Sequence, residues 1–166
     1  STLNFFSLVA AVFIISTGAV GQTQLVNEDL RGGSIPVGWT QTDVSFTTAA
    51  GGYANVSGTT GVLTAFPFDA SAYDEIEVNF DVAKFDSGTD GPLTLEYSLD
   101  GTNWVSAGDS PTPTSSTYQS ASITIGSVSA TMQVRFSAAN SPSNKRLRDV
   151  IINGIIVGPW EDFETG

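Results

Sequence analysis

IEVNFDVAKFDSGTDGPLTLEYSLDGTNW, residues Ile76–Trp104, decides the fold. From Glu75 to Val82 polar and apolar residues alternate without a break. A period of two puts Ile76, Val78, Phe80 and Val82 on one face of a strand and the acidic and amide residues on the other. Leu93–Leu99 alternates in the same way. Between the two runs, Asp86-Ser87-Gly88-Thr89-Asp90-Gly91-Pro92 consists almost entirely of turn residues. Asp100-Gly101 predicts a tight turn toward Trp104, because this pair tolerates the positive φ of a hairpin loop. The stretch therefore predicts two long amphipathic strands and a third, hairpin-linked strand in one sheet with a face to bury. A second sheet must cover it.

The rest of the chain reads as strand after strand. Gln24–Leu30, Trp39–Asp43, Tyr53–Val56 and Val62–Phe66 precede the central stretch, with Ile76–Phe85, Leu93–Leu99 and Trp104–Ala107 within it. Tyr118–Ile125, Met132–Phe136, Leu147–Asn153 and Ile155–Val157 follow, after the proline-containing loop Gly108–Thr117. Turn residues recur about every 8–12 residues, which predicts an all-β, antiparallel two-sheet sandwich of jelly-roll type. At the N-terminus, Leu3–Val20 is apolar but shorter than the ~20 residues of a membrane span. The small residues Ala19 and Gly21 frame a cleavage site before Gln22, so residues 1–21 are expected to be a secretory signal peptide and 22–158 the sandwich. No stable membrane span is expected. Near the C-terminus, Trp160-Glu161-Asp162-Phe163-Glu164-Thr165-Gly166 resembles Asn27-Glu28-Asp29-Leu30-Arg31-Gly32-Gly33. A repeat at one domain's spacing predicts tandem modules, with 159–166 as linker or the start of the next.

Composition narrows the function. The 166 residues include 17 acidic and six basic side chains, for a net charge of −11, with no histidine and no cysteine. Nucleic acid and anionic membranes are disfavoured as partners, since their binding rests on Lys and Arg. Ser-His-Asp and Cys-His nucleophiles and His- or thiolate-based zinc sites are excluded. The carboxylate pairs Glu75/Glu77 and Asp81/Glu96 are the candidates for glycosidase chemistry, but they belong to the wet side of the sheet, and no catalytic residue is expected. Lys145, Arg146 and Arg148 hold half of the basic side chains and read as a solvated loop paired with neighbouring acids. Sugar binding by a sandwich needs exposed aromatic rings beside polar groups. Tyr53, Trp104, Tyr118 and Asn103 are the candidates, with Trp39 less favoured; the alternative is that the aromatic rings are core. Asp86–Gly91 follows an EF-hand loop at its first, fifth and sixth positions but lacks the third ligand and the closing Glu, and reads as an ordinary turn.

Glu28-Asp29-Leu30 followed by Gly33-Ser34-Ile35-Pro36-Val37-Gly38-Trp39-Thr40 resembles the opening of cleaved-adhesin and choice-of-anchor-J modules. These are MAM-like jelly rolls of secreted Bacteroidetes proteins. Tyr97–Trp104 resembles their central hairpin and Arg146-Leu147-Arg148-Asp149-Val150 their last strand, so the similarity runs from about Gln24 to Gly158. Ser98–Trp104 also resembles the Asp-box of sialidases, one residue short, which is a structural hairpin and implies no activity. The module resemblance implies a non-catalytic adhesion, glycan-binding or targeting appendage, often holding calcium. By analogy it places calcium at Glu28 or Asp29 with Asp81 and Asp149, where the family's terminal strands lie side by side. The family's opening Glu-x-Phe-Glu is kept by Glu161–Glu164, but Leu30 and Arg31 replace its Phe and second Glu in the first copy, which weakens that site.

The expected function is thus an extracellular adhesion or carbohydrate-binding module of a larger secreted or surface protein, with calcium as its candidate ion and a glycan or cell-surface ligand as partner. The alternatives are a structural spacer presenting a downstream hydrolase, and a surface-filament subunit assembling through its N-terminal helix.

Overall fold

The computed structural model describes residues 21–138 and 143–158. The expected signal peptide (apart from Gly21) and the second Glu-Asp motif lie outside the described residues. Among these residues the chain forms eleven strands. They are β1 (Gly21–Glu28), β2 (Thr40–Thr42), β3 (Val44–Thr47), β4 (Tyr53–Val56), β5 (Val62–Thr64), β6 (Glu75–Lys84), β7 (Thr94–Ser98), β8 (Val105–Asp109), β9 (Gln119–Ile125), β10 (Gln133–Ser137) and β11 (Lys145–Ile156). The six-stranded sheet runs β3-β4-β11-β6-β9, with β1 also on β11; the five-stranded sheet runs β2-β5-β10-β7-β8. Every strand pairing is antiparallel. The expected two-sheet sandwich is present.

Period two does what it predicts. Ile76, Val78, Phe80 and Val82 are buried in the core, facing Leu63, Leu95, Val134 and Phe136 of the other sheet. Phe80 and Phe136 meet edge to face with centroids 5.0 Å apart, which ties the two layers at their centre. β11 is the pivot of its sheet. One edge pairs with β6 along its length, while the other pairs with β4 over Lys145–Leu147 and with β1 over Val150–Ile156.

Five expectations are corrected. β6 and β7 belong to different sheets, so Asp86–Pro92 is a crossover between layers and not a link within one sheet. Two amphipathic strands bury their apolar faces equally well side by side or face to face, and periodicity alone does not distinguish these. The Asp100-Gly101 hairpin is a longer loop spanning residues 99–104, closed by Asp100 accepting from the backbone N–H of Thr102 and Asn103, both at 2.8 Å. The run Trp39–Asp43 forms β2, and β3, an unexpected strand, follows it directly. Asp43 adopts φ 49°, and the chain turns there from β2 in one sheet into β3 in the other. The first strand likewise stops at Glu28, because Leu30 turns to φ 58° and buries its side chain in the core. In the other direction, Leu147–Asn153 and Ile155–Val157 join as a single strand.

Candidate binding face

Residues directly opposite each other in an antiparallel pair share a face. On β11, Arg146 stands opposite Asn55 of β4 and Ala83 of β6, and Arg148 stands opposite Asp81 of β6, itself opposite Ser120 of β9. The neighbours of these residues along β6 point into the core. Asn55, Asp81, Ser120, Arg146 and Arg148 therefore share the outer face of the six-stranded sheet. Tyr53 leads into Asn55 by one alternation on the same face, and Tyr118 immediately precedes β9.

The arginines organise this face. The Arg146 guanidinium lies over the Tyr53 ring at 4.9 Å and over Phe85 at 5.5 Å; that of Arg148 lies over Tyr118 at 3.5 Å. Tyr53 and Phe85 adjoin at 6.1 Å. A guanidinium stacked on a ring keeps its edge N–H groups free to bond sideways. Arg148 ion-pairs with Asp81 at 3.7 Å and Asp149 at 3.4 Å, and Asp149 also pairs with Arg31. Burial pushes the Tyr118 phenol above its ordinary pKa, opposed by the positive charges of Arg148 and Arg146. Three buried polar atoms on this face have neither a hydrogen bond nor an ion pair, Asn55 Oδ1, Tyr118 Oη and Arg146 Nε, while Arg148 Nε makes no hydrogen bond but faces Asp149 at 3.4 Å. Buried polar atoms are nearly always paired, so these three are where a group from outside the chain would find partners.

The sequence candidates divide between the two sides of the sandwich. Tyr53 and Tyr118 fall on this face, but each gives a ring face to a guanidinium instead of leaving it open for a sugar. Phe85, 39% exposed, is the most exposed of the three rings, although Arg146 lies over it too at 5.5 Å. Trp104 is on the other side, half-buried, with the guanidinium of Arg135 4.2 Å above it and Arg135 in turn held bidentate by Glu96 at 2.7 and 3.1 Å. Asn103 is tied to Asp100 in the adjoining loop. Trp39 is core, at 5% exposure. Asn55, Phe85, Arg146 and Arg148 were the residues that periodicity did not single out. Lys145, Arg146 and Arg148 lie in β11, not in a loop, and the only advance signal was the alternation of Arg146, Leu147 and Arg148.

The carboxylates assigned to calcium do come near one another, since β1 pairs with β11 and the Asp149 N–H donates to the Asp29 carbonyl at 3.1 Å. Their charges, however, face arginines. Asp149 is bound by Arg31 and Arg148, and Asp81 by Arg148 and the Ser120 hydroxyl at 2.7 Å. Burial, reinforced by the charge of Asp29, raises the Glu28 pKa. This donor set does not fit a calcium ion, which would meet two guanidinium groups where it needs oxygens. Among the described residues no group of three or more His, Cys, Asp or Glu is arranged to hold a metal. In the crossover loop, Asp86 accepts from the Gly88 N–H at 3.0 Å and Asp90 pairs with Lys84, as in an ordinary turn. Asp81 and Glu96 lie on opposite outer faces and cannot act on one bond.

No protein-family profile and no curated protein sequence matches the chain. Solved structures do. The CBM22-1 xylan-binding domain from Paenibacillus barcinonensis aligns over 86% of this chain and 99% of its own, at 11% identity and a TM-score of 0.63. CBM29-2, a family 29 carbohydrate-binding module, aligns over 89% and 100%, at 11% identity and a TM-score of 0.57. The K3 cleaved adhesin domain of Lys-gingipain from Porphyromonas gingivalis aligns over 80% and 99%, at 16% identity and a TM-score of 0.52. The likeness is one of fold. It extends over whole single modules, and the jelly-roll architecture is thereby shared with them.

Proposed function

We propose that this chain is a non-catalytic carbohydrate-binding module and that the outer face of the six-stranded sheet is where it binds. The observation that carries this is the row of arginines stacked on aromatic rings, with buried donors and acceptors left unpaired around them. Glycans offer what such a face lacks: hydroxyls that both donate and accept, and a C–H face that packs on an exposed ring such as Phe85. Whole-module likeness to xylan-binding and other carbohydrate-binding domains supports the reading. So does the absence of His and Cys, which leaves the chain no nucleophile–imidazole pair. β1 and β11 pair so that Gly21 stands opposite Ile156, and the chain enters and leaves the sandwich at one end. That geometry suits an appendage projecting from a larger exported or surface protein better than an in-line spacer.

The test is affinity electrophoresis of the chain in gels cast with plant, algal, bacterial and host polysaccharides. Binding to at least one is expected, and Arg148→Ala should abolish it without unfolding the protein. Binding that persists in Arg148→Ala and Phe85→Ala but vanishes in Trp104→Ala would move the site to the opposite sheet.

A further inference from the structure

We infer that the ligand of this face is a polysaccharide carrying sparse uronate groups, whose carboxylates are received by Arg146; this rests on the outer face being the binding face. Most charges on this face are matched. Arg148 pairs with Asp81 and Asp149, Arg31 reaches Asp149 from the loop after β1, and Glu75 and Glu77 share the outer side of β6 farther along. Arg31, Lys84, Arg135 and Arg148 each have a carboxylate partner. Lys145 donates to the Ser143 carbonyl at 2.7 Å. Arg146 forms no ion pair among the described residues. Its neighbours are the rings of Tyr53 and Phe85, and its Nε is buried without an acceptor.

A partly desolvated guanidinium with aromatic faces and no counter-ion is half of a charge-assisted pair. A neutral sugar hydroxyl satisfies the Nε hydrogen bond and leaves the charge. A planar carboxylate satisfies both, because the guanidinium fork matches its two oxygens. Arg148, two residues along the same strand, points to the same face about 7 Å away by strand geometry, within reach of the same sugar's hydroxyls or its neighbour's. Dense polyanions are selected against, since the remaining surface is strongly acidic and one unpaired cation releases few counter-ions. An occasional uronate on an otherwise neutral chain meets both constraints.

The experiment measures binding of the full chain to uronate-bearing polysaccharides of several backbones, each beside the same polymer after carboxyl reduction. Neutral polysaccharides and single-stranded DNA are included at physiological salt. For at least one backbone the acidic form should bind about tenfold tighter than its reduced form, the usual weight of one charge-assisted bond. Arg146→Gln should erase that difference, so that the acidic and reduced forms bind the variant equally. Equal affinity for acidic and reduced forms, binding confined to neutral polymers, or equal binding of DNA would overturn the inference and leave the binding face standing. Binding to no polysaccharide of either kind would overturn the face as well. Carboxyl reduction alters only the ligand, so the comparison holds even if the Arg146 variant folds poorly.

Discussion

Gly154 shows how closely the single residue is fitted. It lies inside β11, and a β-carbon there would come within 2.5 Å of the Tyr73 ring. Gly154→Ala should lower stability by roughly 1–3 kcal/mol, the cost of overpacking, in a denaturant titration; an unchanged midpoint would show that Tyr73 moves aside. At the centre, Phe136→Ala should cost about 3–5 kcal/mol, because it removes the edge-to-face partner of Phe80 and leaves a cavity. Asp100 titrates below the ordinary carboxylate range, held there first by the Asn103 and Thr102 N–H groups it accepts from. Its folded pKa is lower than its unfolded one. Its contribution is therefore complete above about pH 4 and lost as the pH falls below that value. Melting followed from neutral pH to about pH 2 should show a shallower acid limb in Asp100→Asn than in the parent chain. At this scale the sequence showed which positions alternate, and so named Ile76, Val78, Phe80 and Val82 as core. It did not show that Arg146 and Arg148 share one sheet face, because three basic residues beside a Ser-Pro-Ser-Asn run look like a solvated turn until the strand register is known.

Among the elements, β11 carries the most. It is flanked by β6 on one edge and by β4 and β1 end to end on the other, and it supplies both arginines of the face. Between Arg148 and Ile151 its register with β6 shifts, and Asp149 sits at φ 54° in that irregularity. Because the strand gains a residue at this bulge, Arg148 and Val150 face opposite sides, and the Asp149 carboxylate turns toward Arg31. Native-state hydrogen exchange should find the amides of β6 and β11 slowest and those of the short edge strand β2 fastest, since central strands open only with the whole sheet. Fast exchange in β11 would contradict its place as the pivot. Strand existence was legible almost throughout. At two strand ends where reading and structure part, a non-glycine residue at positive φ is the cause: Leu30 ends β1, and Asp43 ends β2 just before the unexpected β3. Nothing in local composition marks these turns, because the energy that holds them comes from burying Leu30 and from pairing with two different sheets.

For the molecule as a whole, the ion-paired state of Asp81 and Asp149 predicts independence from calcium. Differential scanning calorimetry with EDTA and with added calcium should give the same melting temperature; a fall on chelation, reversed by calcium, would restore the metal to these carboxylates. By itself the sequence determined the class of fold, because a period of two repeated from end to end has one physical outcome, a set of half-buried strands that must be covered in two layers. It also determined the exclusions, since chemistry that needs imidazole or thiolate cannot occur without them. Only the tertiary structure decided which strands share a sheet, and with that which side chains share a face. Tyr53, Tyr118, Arg146 and Arg148 are up to 95 residues apart in the chain and meet because β4, β11, β6 and β9 lie side by side. Pairing of distant strands is settled by packing of the whole core, and local alternation carries no information about the partner.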